Sequence, residues 1–448
     1  MADALAPQYA GRAVFLEQNV DVPVGDRYSR FQAAYGTGVA YLPLVIVDSG
    51  HQLMTGDRPD FRPVFQRMVE LELVRPPSAE IEAYARTLGT KVRVYARLHN
   101  TSGVTLSAGA NKAELHALVY EDARVGVTGR ITRAAPWAAI AIPVPPDGTL
   151  TATLDTIGLS GVNFNALHTV VAADYVPGPG STYDMLQAAV AQPAGLTVDP
   201  PSFPVGIDSG HPAGRSVAVS LAGPYNLTWT AAPDVPWLSV SPDGGAIAVA
   251  PTVTVSANGL VAGSQEGHVT LSATSTDGMA FTQFVAVKAV LGPRVFRAVA
   301  PPVSPGSPAA VPIVLSALGD EHAVAFSLAF DAAMVRDPAV ALGSAAQDAT
   351  LAVDTTQSAS GHVGVTVTLP AGRSFPHGDC EIAVVTFATA AVVPRQAAAV
   401  VFCDQPVERD IADAFGNGLT AELRDATLAF PEGSVMRVPR RHVTRPAG

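Results

Sequence analysis

The tetrapeptide Asp-Ser-Gly-His occurs twice in the chain, at Asp48–His51 and at Asp208–His211. It contains the three residue types of a hydrolytic triad, in which an imidazole takes a proton from a serine hydroxyl and a carboxylate orients the imidazole. Adjacent residues cannot adopt that geometry, because the three groups need to approach from separate chain segments. Asp, Ser and Gly are also common turn residues. We therefore interpret both tetrapeptides as turns and predict a protein without enzymatic activity.

The two cysteines, Cys380 and Cys403, lie in apolar runs near the C-terminal end. If EIAVVTFAT and AAAVVFCD are successive antiparallel strands, a disulfide between them is a candidate structural cross-link. A hairpin centred near Pro394 would place Cys380 opposite about Glu408, so the bridge requires a different turn or a strand shift. The sequence leaves the bridged and the unbridged states open.

Oxygen-bearing side chains crowd the stretch that follows Cys403. Such groups bind calcium, but their spacing fits no standard calcium loop, and an acidic solvent-facing loop explains them equally. The ten histidines are scattered, and no zinc-ligand spacing or phosphate-binding glycine loop occurs, so we expect no cofactor. The weak calcium candidates are Asp404, Asp410, Asp413 and Asn417, with Glu408 beside them.

The charge of the chain limits its partners. The 448 residues carry a net charge of −11, whereas a nucleic-acid surface needs a concentrated excess of Lys and Arg, so we expect no nucleic-acid partner. No apolar run of about 18 residues predicts a membrane span, and the start MADALAP lacks signal-peptide features. A basic tail at 432–448 is either solvated or docks on an acidic neighbour. Its partner-binding candidates are Arg437, Arg440, Arg441 and Arg445.

Composition and pattern predict a mainly β, multidomain chain. Hydrophobic residues make up 48%, charged residues 15%, and there are 39 Gly and 37 Pro, as in proteins of many short strands joined by turns. We expect a small α/β N-terminal segment followed by three β-sandwich domains. The predicted units are 1–80, 88–194, 195–292 and 308–431, followed by the tail at 432–448.

The two N-terminal units differ in their hydrophobic period. The first has an α/β rhythm, with strands predicted at 13–18 and 41–48 and a helix predicted over 60–73, ended by two prolines. The second alternates with period two, which predicts an antiparallel sandwich, and a short helix is predicted over 181–192. The apolar face of the longer helix would be Phe61, Val64, Phe65, Met68 and Leu71.

The runs AVFLEQ, YLPLVIVDSG, LVYEDARVGVTGRI and LHTVVAADYVP resemble an outer-membrane family in which a degenerate thioredoxin fold precedes an immunoglobulin-like domain. The resemblance implies that Pro43 takes the place of the cis-proline of thioredoxins. The redox cysteines are missing, because the chain has Asn19 to Pro23 where that motif would lie. No thiolate can form there, so the resemblance implies a redox-inactive scaffold.

Two further resemblances concern the C-terminal half. PWLSVSPDGG (236–245) and VTVSANGLVAGSQEGHVTLSAT are similar to the BACON type of sandwich, which occurs in extracellular bacterial proteins. LGDEHAVAFSLAFD, with VTVTLPAGRSFPHGDCEIAVVTFAT and VVFCDQPVERDIADAFGNGLTAELRDATLAF, resembles a cohesin-like domain. These resemblances imply a bacterial extracellular protein whose modules dock partners.

We expect a non-catalytic, secreted or cell-surface structural or interaction protein, with self-assembly into an extracellular filament or layer as one form of that role. Its partners would be other proteins or copies of itself. A glycan-binding accessory or adhesin protein and a degenerate thiol oxidoreductase relative are the alternatives. The glycan alternative requires an exposed Trp229 or Trp237, whereas we predict core positions for these two and for Trp137.

Overall fold

The computed structural model describes residues 5–18, 30, 33–36, 44–56, 61–122, 129–211, 213–248, 251–261, 263–390 and 397–430. These residues are mainly β and form a short N-terminal segment and three sandwiches of two sheets each. The expectation of a mainly β, multidomain chain is therefore confirmed. No helix of the described residues is long and apolar enough to cross a membrane.

The N-terminal segment contains a hairpin and a helix among its described residues. Strands β1 (Leu44–Val47) and β2 (Gln52–Thr55) pair antiparallel, and helix α1 (Phe61–Leu73) follows, as predicted. Its apolar face packs on a 3₁₀ turn at Ala6–Tyr9 in a small core. The predicted face is buried at Phe61, Phe65 and Met68 and half-buried at Val64, whereas Leu71 is 46% exposed.

Residues 13–18 do not form the predicted strand. Glu17 makes one isolated bridge with Ile131, Leu16 packs on the outer face of the second unit, and Phe15 enters the N-terminal core. Residues 13–18 therefore attach the N-terminal segment to the second unit, because Phe15 packs in the segment and Leu16 packs on the second unit. In the described residues β1 pairs with β2 alone, which is not the arrangement that a thioredoxin-like fold implies. Pro43 lies outside the described residues.

The second unit is a sandwich over 79–193. Its sheets have the orders β10-β9-β5-β6, with β7 on β5, and β11-β3-β4-β8. The helix predicted over 181–192 is wrong, because Asp184–Val190 pairs antiparallel with the strand before it, whose unpaired edge offers more hydrogen bonds than an isolated turn of helix. The elements are β3 (Ala79–Leu88), β4 (Lys91–Asn100), α2 (Ala108–Asn111), β5 (Glu114–Glu121), β6 (Ile131–Ala134), β7 (Trp137–Ala139), β8 (Thr149–Asp155), β9 (Leu167–Tyr175), β10 (Asp184–Val190) and β11 (Gln192–Pro193).

The third unit is a sandwich with sheet orders β12-β14-β18-β16 and β13-β20-β19-β15-β17. Trp229 and Trp237 are 2% and 9% exposed and belong to its core, as predicted. Trp137 of the second unit is 44% exposed, so its predicted core position is wrong. The strands are β12 (Thr197–Asp199), β13 (Ser202–Asp208), β14 (Arg215–Ala222), β15 (Leu227–Pro233), β16 (Leu238–Ser241), β17 (Gly244–Ala246), β18 (Thr252–Ala257), β19 (Gly263–Ser275) and β20 (Ala280–Gly292).

The fourth unit is a larger sandwich with sheet orders β24-β27-β22-β21-β30 and β25-β26-β23-β28-β31, with β29 on β23. Phe296, Phe326 and Phe402 meet in its core at centroid distances from 4.9 to 6.0 Å. The strands are β21 (Val295–Ala298), β22 (Ala309–Ala317), β23 (Glu321–Phe330), β24 (Val335–Leu342), β25 (Thr350–Asp354), β26 (His362–Thr368), β27 (Gly378–Thr389), β28 (Ala397–Cys403), β29 (Asp410–Asp413), β30 (Glu422–Arg424) and β31 (Ala426–Ala429).

The candidate disulfide between Cys380 and Cys403 is not formed, and both cysteines are unbridged. The strands that carry them are not hairpin partners: β27 pairs with β22 and β24, whereas β28 pairs with β23 and β31 in the opposite sheet. Cys380 is buried and donates to the carbonyl of Pro376, while Cys403 donates to that of Gln405. The two cysteines therefore belong to different layers of the sandwich.

Candidate functional site

The first Asp-Ser-Gly-His tetrapeptide is a turn, as predicted. The amide of His51 donates to the Asp48 carbonyl at 3.2 Å, and Ser49 has a φ of 59° inside the turn. The Ser49 hydroxyl donates to Asp174 at 2.7 Å, whereas the His51 ring contacts Glu72 at 2.6 Å. The serine and the histidine thus contact two different carboxylates.

The second tetrapeptide is also a turn and follows β13. The amides of Gly210 and Arg294 donate to Asp208 Oδ1 at 3.0 and 3.1 Å, and His211 Nδ1 lies 2.8 Å from Asp208 Oδ2. Burial raises the pKa of Asp208, but these contacts, that of His211 first, outweigh it and hold the pKa below its usual range. The carboxylate therefore closes a turn at the boundary with the fourth unit.

A buried ionic network attaches the N-terminal segment to the second unit. The Arg30 guanidinium donates to both oxygens of Asp174 at 3.0 and 2.6 Å and to Glu114 at 2.7 Å, and its Cζ lies 4.0 Å from the centre of the Tyr183 ring. Arg30 and Asp174 are fully buried. Burial raises the pKa of Asp174, but His116 and Arg30 outweigh it and hold the pKa well below its usual range.

His116, in β5, belongs to the same network. Its Nε2 lies 2.7 Å from Arg30 Nη2 and 3.4 and 3.5 Å from the carboxylate oxygens of Glu114 and Asp174. Its Nδ1 is buried and has no hydrogen-bond partner among the described residues. The ring stacks beneath Trp137 at 6.4 Å. This network is enclosed and pairs its charges, which is the arrangement of a structural attachment.

A second cluster joins the same two parts of the chain at the surface. Arg75 contacts Glu72 at 2.6 Å and Asp184 of β10 at 2.5 Å, and lies 4.0 Å from Asp48. Burial, with the charge of Glu72 next, raises the pKa of Asp48 to about 6. Asp48 therefore loses its proton near pH 6, a pH at which an ordinary aspartate is already ionised.

The second and third units meet around one carboxylate, Asp277, in the turn between β19 and β20. Its Oδ2 accepts from the Tyr95 hydroxyl at 2.6 Å and from Arg93 at 2.8 Å, and also from Arg86. The Ser275 hydroxyl donates to Oδ1. Burial raises the pKa of Asp277, but these hydrogen bonds outweigh it and hold the pKa well below its usual range. One residue of the third unit thus gathers three donors of the second.

Tyr225 closes the same junction from the third unit. Its hydroxyl donates to the carbonyl of Ala152 at 2.6 Å and lies 3.1 Å from the Thr153 hydroxyl, and its ring meets that of Tyr95 edge to face at 6.3 Å. Ala152 belongs to β8, an edge strand of its sheet. The contact therefore also covers part of an open strand edge, which would otherwise recruit another chain.

The third and fourth units share the buried cation Arg294, which is 2% exposed. It pairs with Asp320 at 2.7 Å and with Glu321 at 2.5 Å, and donates to the carbonyl of Thr420 at 3.1 Å. The amide of Gly206, in β13, donates to the other oxygen of Asp320 at 2.7 Å. This network crosses the junction because its residues come from both units. Arg294 follows β20, the last strand of the third unit, whereas Asp320 precedes β23 of the fourth unit and Glu321 begins it.

Shape and a second ion pair complete this junction. A Cβ on Gly206 would lie 2.6 Å from Arg294 Nη2 and from Leu318 Cβ, so only glycine allows the approach. Phe203 and Phe415 meet edge to face at 6.1 Å, and Arg215 pairs with Asp413 at 2.8 Å. Both junctions thus combine aromatic packing with desolvated charge.

The calcium candidates are occupied by protein contacts or lie apart. Asp404 pairs with Arg409 at 2.5 and 2.8 Å, while Asp413 accepts from the amide and the side chain of Asn417 at 2.8 Å and binds Arg215. Asp410 begins the exposed end of β29. Within the described residues no group of three or more His, Cys, Asp or Glu side chains could hold a metal ion.

Several predicted residues cannot be placed, and others were missed. Arg437, Arg440, Arg441 and Arg445 lie outside the described residues. The junction residues were not predicted, although the sequence carries a signal for them. Charged residues interrupt apolar strands or flank them directly, as in LHALVYE, VVAADYV and VLGPRVF.

Comparisons with known proteins find structural neighbours only. A scan against protein-family models finds no match, and none of the curated proteins matches. Among solved structures, a non-cellulosomal cohesin from Archaeoglobus fulgidus is 19% identical, with a TM-score of 0.26, over 31% of this chain and 91% of its own.

Two bacterial cohesins are similar in the same way. The sixth cohesin of a scaffoldin from Acetivibrio cellulolyticus, solved in complex with a dockerin, is 15% identical, with a TM-score of 0.28, over 31% of this chain and 99% of its own. A type I cohesin from Pseudobacteroides cellulosolvens is 11% identical, with a TM-score of 0.28, over 32% of this chain and 96% of its own. A cohesin-like domain is what the sequence analysis predicted over residues 308–431.

Proposed function

We propose that the chain is a non-catalytic structural or interaction protein that holds its sandwiches in a fixed series and presents their outer surfaces. The observation that carries the proposal is the pair of junctions at Asp277 and Arg294. A flexible chain of domains needs only a linker, whereas here charged side chains are removed from water between units. Such charges are tolerated only when their partners stay in place, so each junction favours one relative orientation.

Self-association is part of the proposal and is supported by an open strand edge. β25 lies at the edge of its sheet, and its Val353 is 40% exposed. The edge strand of the opposite sheet, β24, is interrupted by a bulge between Arg336 and Ala339 that contains Pro338, a feature that discourages pairing between molecules. We therefore place the subunit contact on β25 rather than on β24.

A secreted or cell-surface location, and a filament or layer as the assembled form, belong to the same proposal. They are supported by the sequence resemblances of 195–292 and 308–431 to families of extracellular bacterial proteins. The basic tail at 432–448 would meet the acidic body of a neighbouring copy, because the whole chain has a net charge of −11 and complementary charge steers association.

Negative-stain microscopy with light scattering tests both parts of the proposal. We expect single particles to show the sandwiches in one constant arrangement, and we expect ordered polymers of the full chain that disappear when residues 432–448 are removed. Averages with widely varying angles between units would refute the fixed series. A monodisperse monomer, with and without the tail, would refute self-association.

A pair of variants identifies the contact. Ala352→Lys places a charge on the outer face of β25, where Ala352 is exposed, and should abolish the polymers. Ala341→Lys on β24 is the matched control and should leave them unchanged. Polymers that survive the change on β25 would contradict the assignment of the contact.

A further inference from the structure

The N-terminal segment lies on the outer face of one sheet of the second unit and is joined to that unit by a short link. Helix α1 ends at Leu73 and β3 begins at Ala79, so the link is the run VRPPS. A few residues between two packed elements are where hinge motion occurs. The apolar part of the contact is formed by Leu16 with Leu118, Tyr120, Ala135 and Val170.

The surface cluster around Arg75, beside this link, has more acids than cations. The Arg75 guanidinium contacts Glu72 at 2.6 Å and Asp184 at 2.5 Å, whereas Asp48 lies 4.0 Å from it. His51 Nδ1 lies 2.6 Å from Glu72. With Asp48 ionised and His51 neutral, three negative charges face one positive charge. With both protonated, two negative charges face two positive charges.

The groups that face Asp48 come from every element packed around it. Glu72 lies in α1, Arg75 follows that helix, Asp184 begins β10, and His51 is in the turn of Asp48 itself. Burial, with the charge of Asp184 next, raises the pKa of Tyr175 in β9, so this phenol stays neutral in the pH range of interest. The balance of charge is therefore decided by the carboxylates and by His51.

The backbone keeps the Asp48 carboxylate in this cluster. Asp48, Ser49 and Gly50 have φ values of 48°, 59° and 115°, a region that residues with side chains rarely adopt. Ser49 is buried, and its hydroxyl donates to Asp174 at 2.7 Å. One turn thus connects the surface cluster to the buried Arg30 network. Repulsion on Asp48 therefore acts directly on a contact that holds the two parts together.

We propose that the surface cluster is a pH-dependent latch, which holds the N-terminal segment closed on the second unit in mildly acidic solution and releases it in a growing fraction of molecules as the pH rises to 8. Protonated Asp48 hydrogen-bonds to Glu72, whereas ionised Asp48 adds a third negative charge beside it. The direction of the pKa shift agrees. Because burial, with the charge of Glu72 next, raises the pKa of Asp48 to about 6, its stabilising contribution is present at low pH and is lost as the pH rises through about 6.

Release pivots the segment at the link and uncovers the apolar patch that Leu16 covers on β5 and β9. The latch concerns the N-terminal segment alone. It does not depend on the proposed assembly or on the fixed series of sandwiches. The junction at Asp277 differs, because three donors of the second unit surround a single carboxylate there, and we expect it to stay closed over the same pH range.

Single-molecule energy transfer tests the latch in the full chain. The substitutions Arg67→Cys in α1 and Thr151→Cys in β8, both at exposed positions, carry two dyes insensitive to pH, in a background with Cys380→Ala and Cys403→Ser. We expect the ratio of open to closed molecules to rise about three- to tenfold between pH 5 and pH 8. The upper value follows from a pKa near 6 in the closed state, and the lower value allows for the partial exposure of Asp48.

Asp48→Asn keeps the neutral form at every pH, so its ratio at pH 8 should equal that of the unchanged chain at pH 5. Asp147→Asn is the matched control, because Asp147 is an exposed turn residue of the second unit that also has a positive φ, of 61°, and lies outside the cluster. It should open as the unchanged chain does. Arg75→Gln removes the cation and should open the segment already at pH 5.

Three results would overturn the proposal. The first is a ratio that stays constant between pH 5 and pH 8 in the unchanged chain. The second is a rise in Asp48→Asn equal to that in Asp147→Asn. The third is an Arg75→Gln variant as closed at pH 5 as the unchanged chain.

Discussion

Replacing Arg294 by methionine removes the cation that the third and fourth units share while retaining a side chain of similar length. Asp320 and Glu321 are then left with side chains that are 3% and 0% exposed and with no cation in contact. Breaking a buried ion pair from one side costs about 3–5 kcal/mol, because the remaining charge stays buried. This range includes the cost of losing the hydrogen bond from Arg294 to the Thr420 carbonyl.

The fourth unit offers a specific reporter for this loss. The last tryptophan and the last tyrosine of the chain are Trp237 and Tyr225, so intrinsic fluorescence reports on the earlier units. Cys380 is 2% exposed in the fourth unit, and burial, with the charge of Glu321 next, raises the pKa of its thiol to about 11. In a Cys403→Ser background, reaction of Cys380 with an aromatic disulfide therefore measures opening of the fourth unit.

We expect Arg294→Met to accelerate the reaction of Cys380 roughly a hundredfold to a few thousandfold, which corresponds to the 3–5 kcal/mol above. The triple variant Arg294→Met, Asp320→Asn, Glu321→Gln removes the two acids as charges and should recover more than half of the lost free energy. A reaction rate within threefold of the background protein for Arg294→Met would refute the reasoning. An equal loss in the single and triple variants would refute the electrostatic cause.

Three further predictions concern the other contacts. Because the pKa of Asp48 is raised to about 6, its contribution to stability is present at low pH and is lost as pH rises through about 6. In thermal melting, Asp48→Asn should therefore have the stability of the unchanged chain at pH 4, and at pH 8 it should be more stable by about 1–2 kcal/mol. This value is reduced because the Asp48 side chain is 32% exposed. No gain in stability at pH 8 would contradict the prediction. Gly267→Ala places a Cβ 2.5 Å from Val235 Cγ2 and 2.9 Å from Trp237 Cζ2. The variant should therefore destabilise the third unit by about 1–3 kcal/mol, measured by denaturant titration followed by tryptophan fluorescence. An unchanged midpoint would show that Val235 and Trp237 move aside without cost. Tyr225→Phe removes the hydroxyl that donates to the Ala152 carbonyl and should lower the free energy of unfolding by about 1 kcal/mol. Single-particle averages should also show a broader spread of angles between the second and third units. An unchanged spread would show that this hydroxyl does not fix the junction.

Local pattern was sufficient where a single element decides its own structure. The helix at 61–73 and the alternating strands of the sandwiches follow from apolar spacing, because each buries one face. Trp229, in β15, and Trp237, in the turn before β16, were also predicted as core residues, since a small sandwich commonly builds its core on large rings. Trp137 departs from this rule because it covers His116 at the surface of the second unit.

Partners distant in sequence were beyond local pattern. Arg30 pairs with Asp174, which is 144 residues away in sequence. Arg294 pairs with Asp320 and Glu321, and this contact depends on how the third and fourth units pack together. Residues 184–190 carry apolar residues at a spacing compatible with a helix, yet the free edge of β9 makes them a strand. The cysteines were assigned to one hairpin because their runs follow each other, whereas the sandwich sends consecutive strands to opposite sheets.

The parallel pairing of β13 with β20 determines how the third unit carries tension. β13 begins the main part of this unit, β20 ends it, and seven residue pairs, from Ser202 with Ala286 to Asp208 with Gly292, hold the two strands together. A force that pulls the chain apart at residues 202 and 292 acts along both strands in opposite directions. The hydrogen bonds between them are then loaded in shear and must break together, whereas an antiparallel hairpin pulled from its open end would unzip one bond at a time.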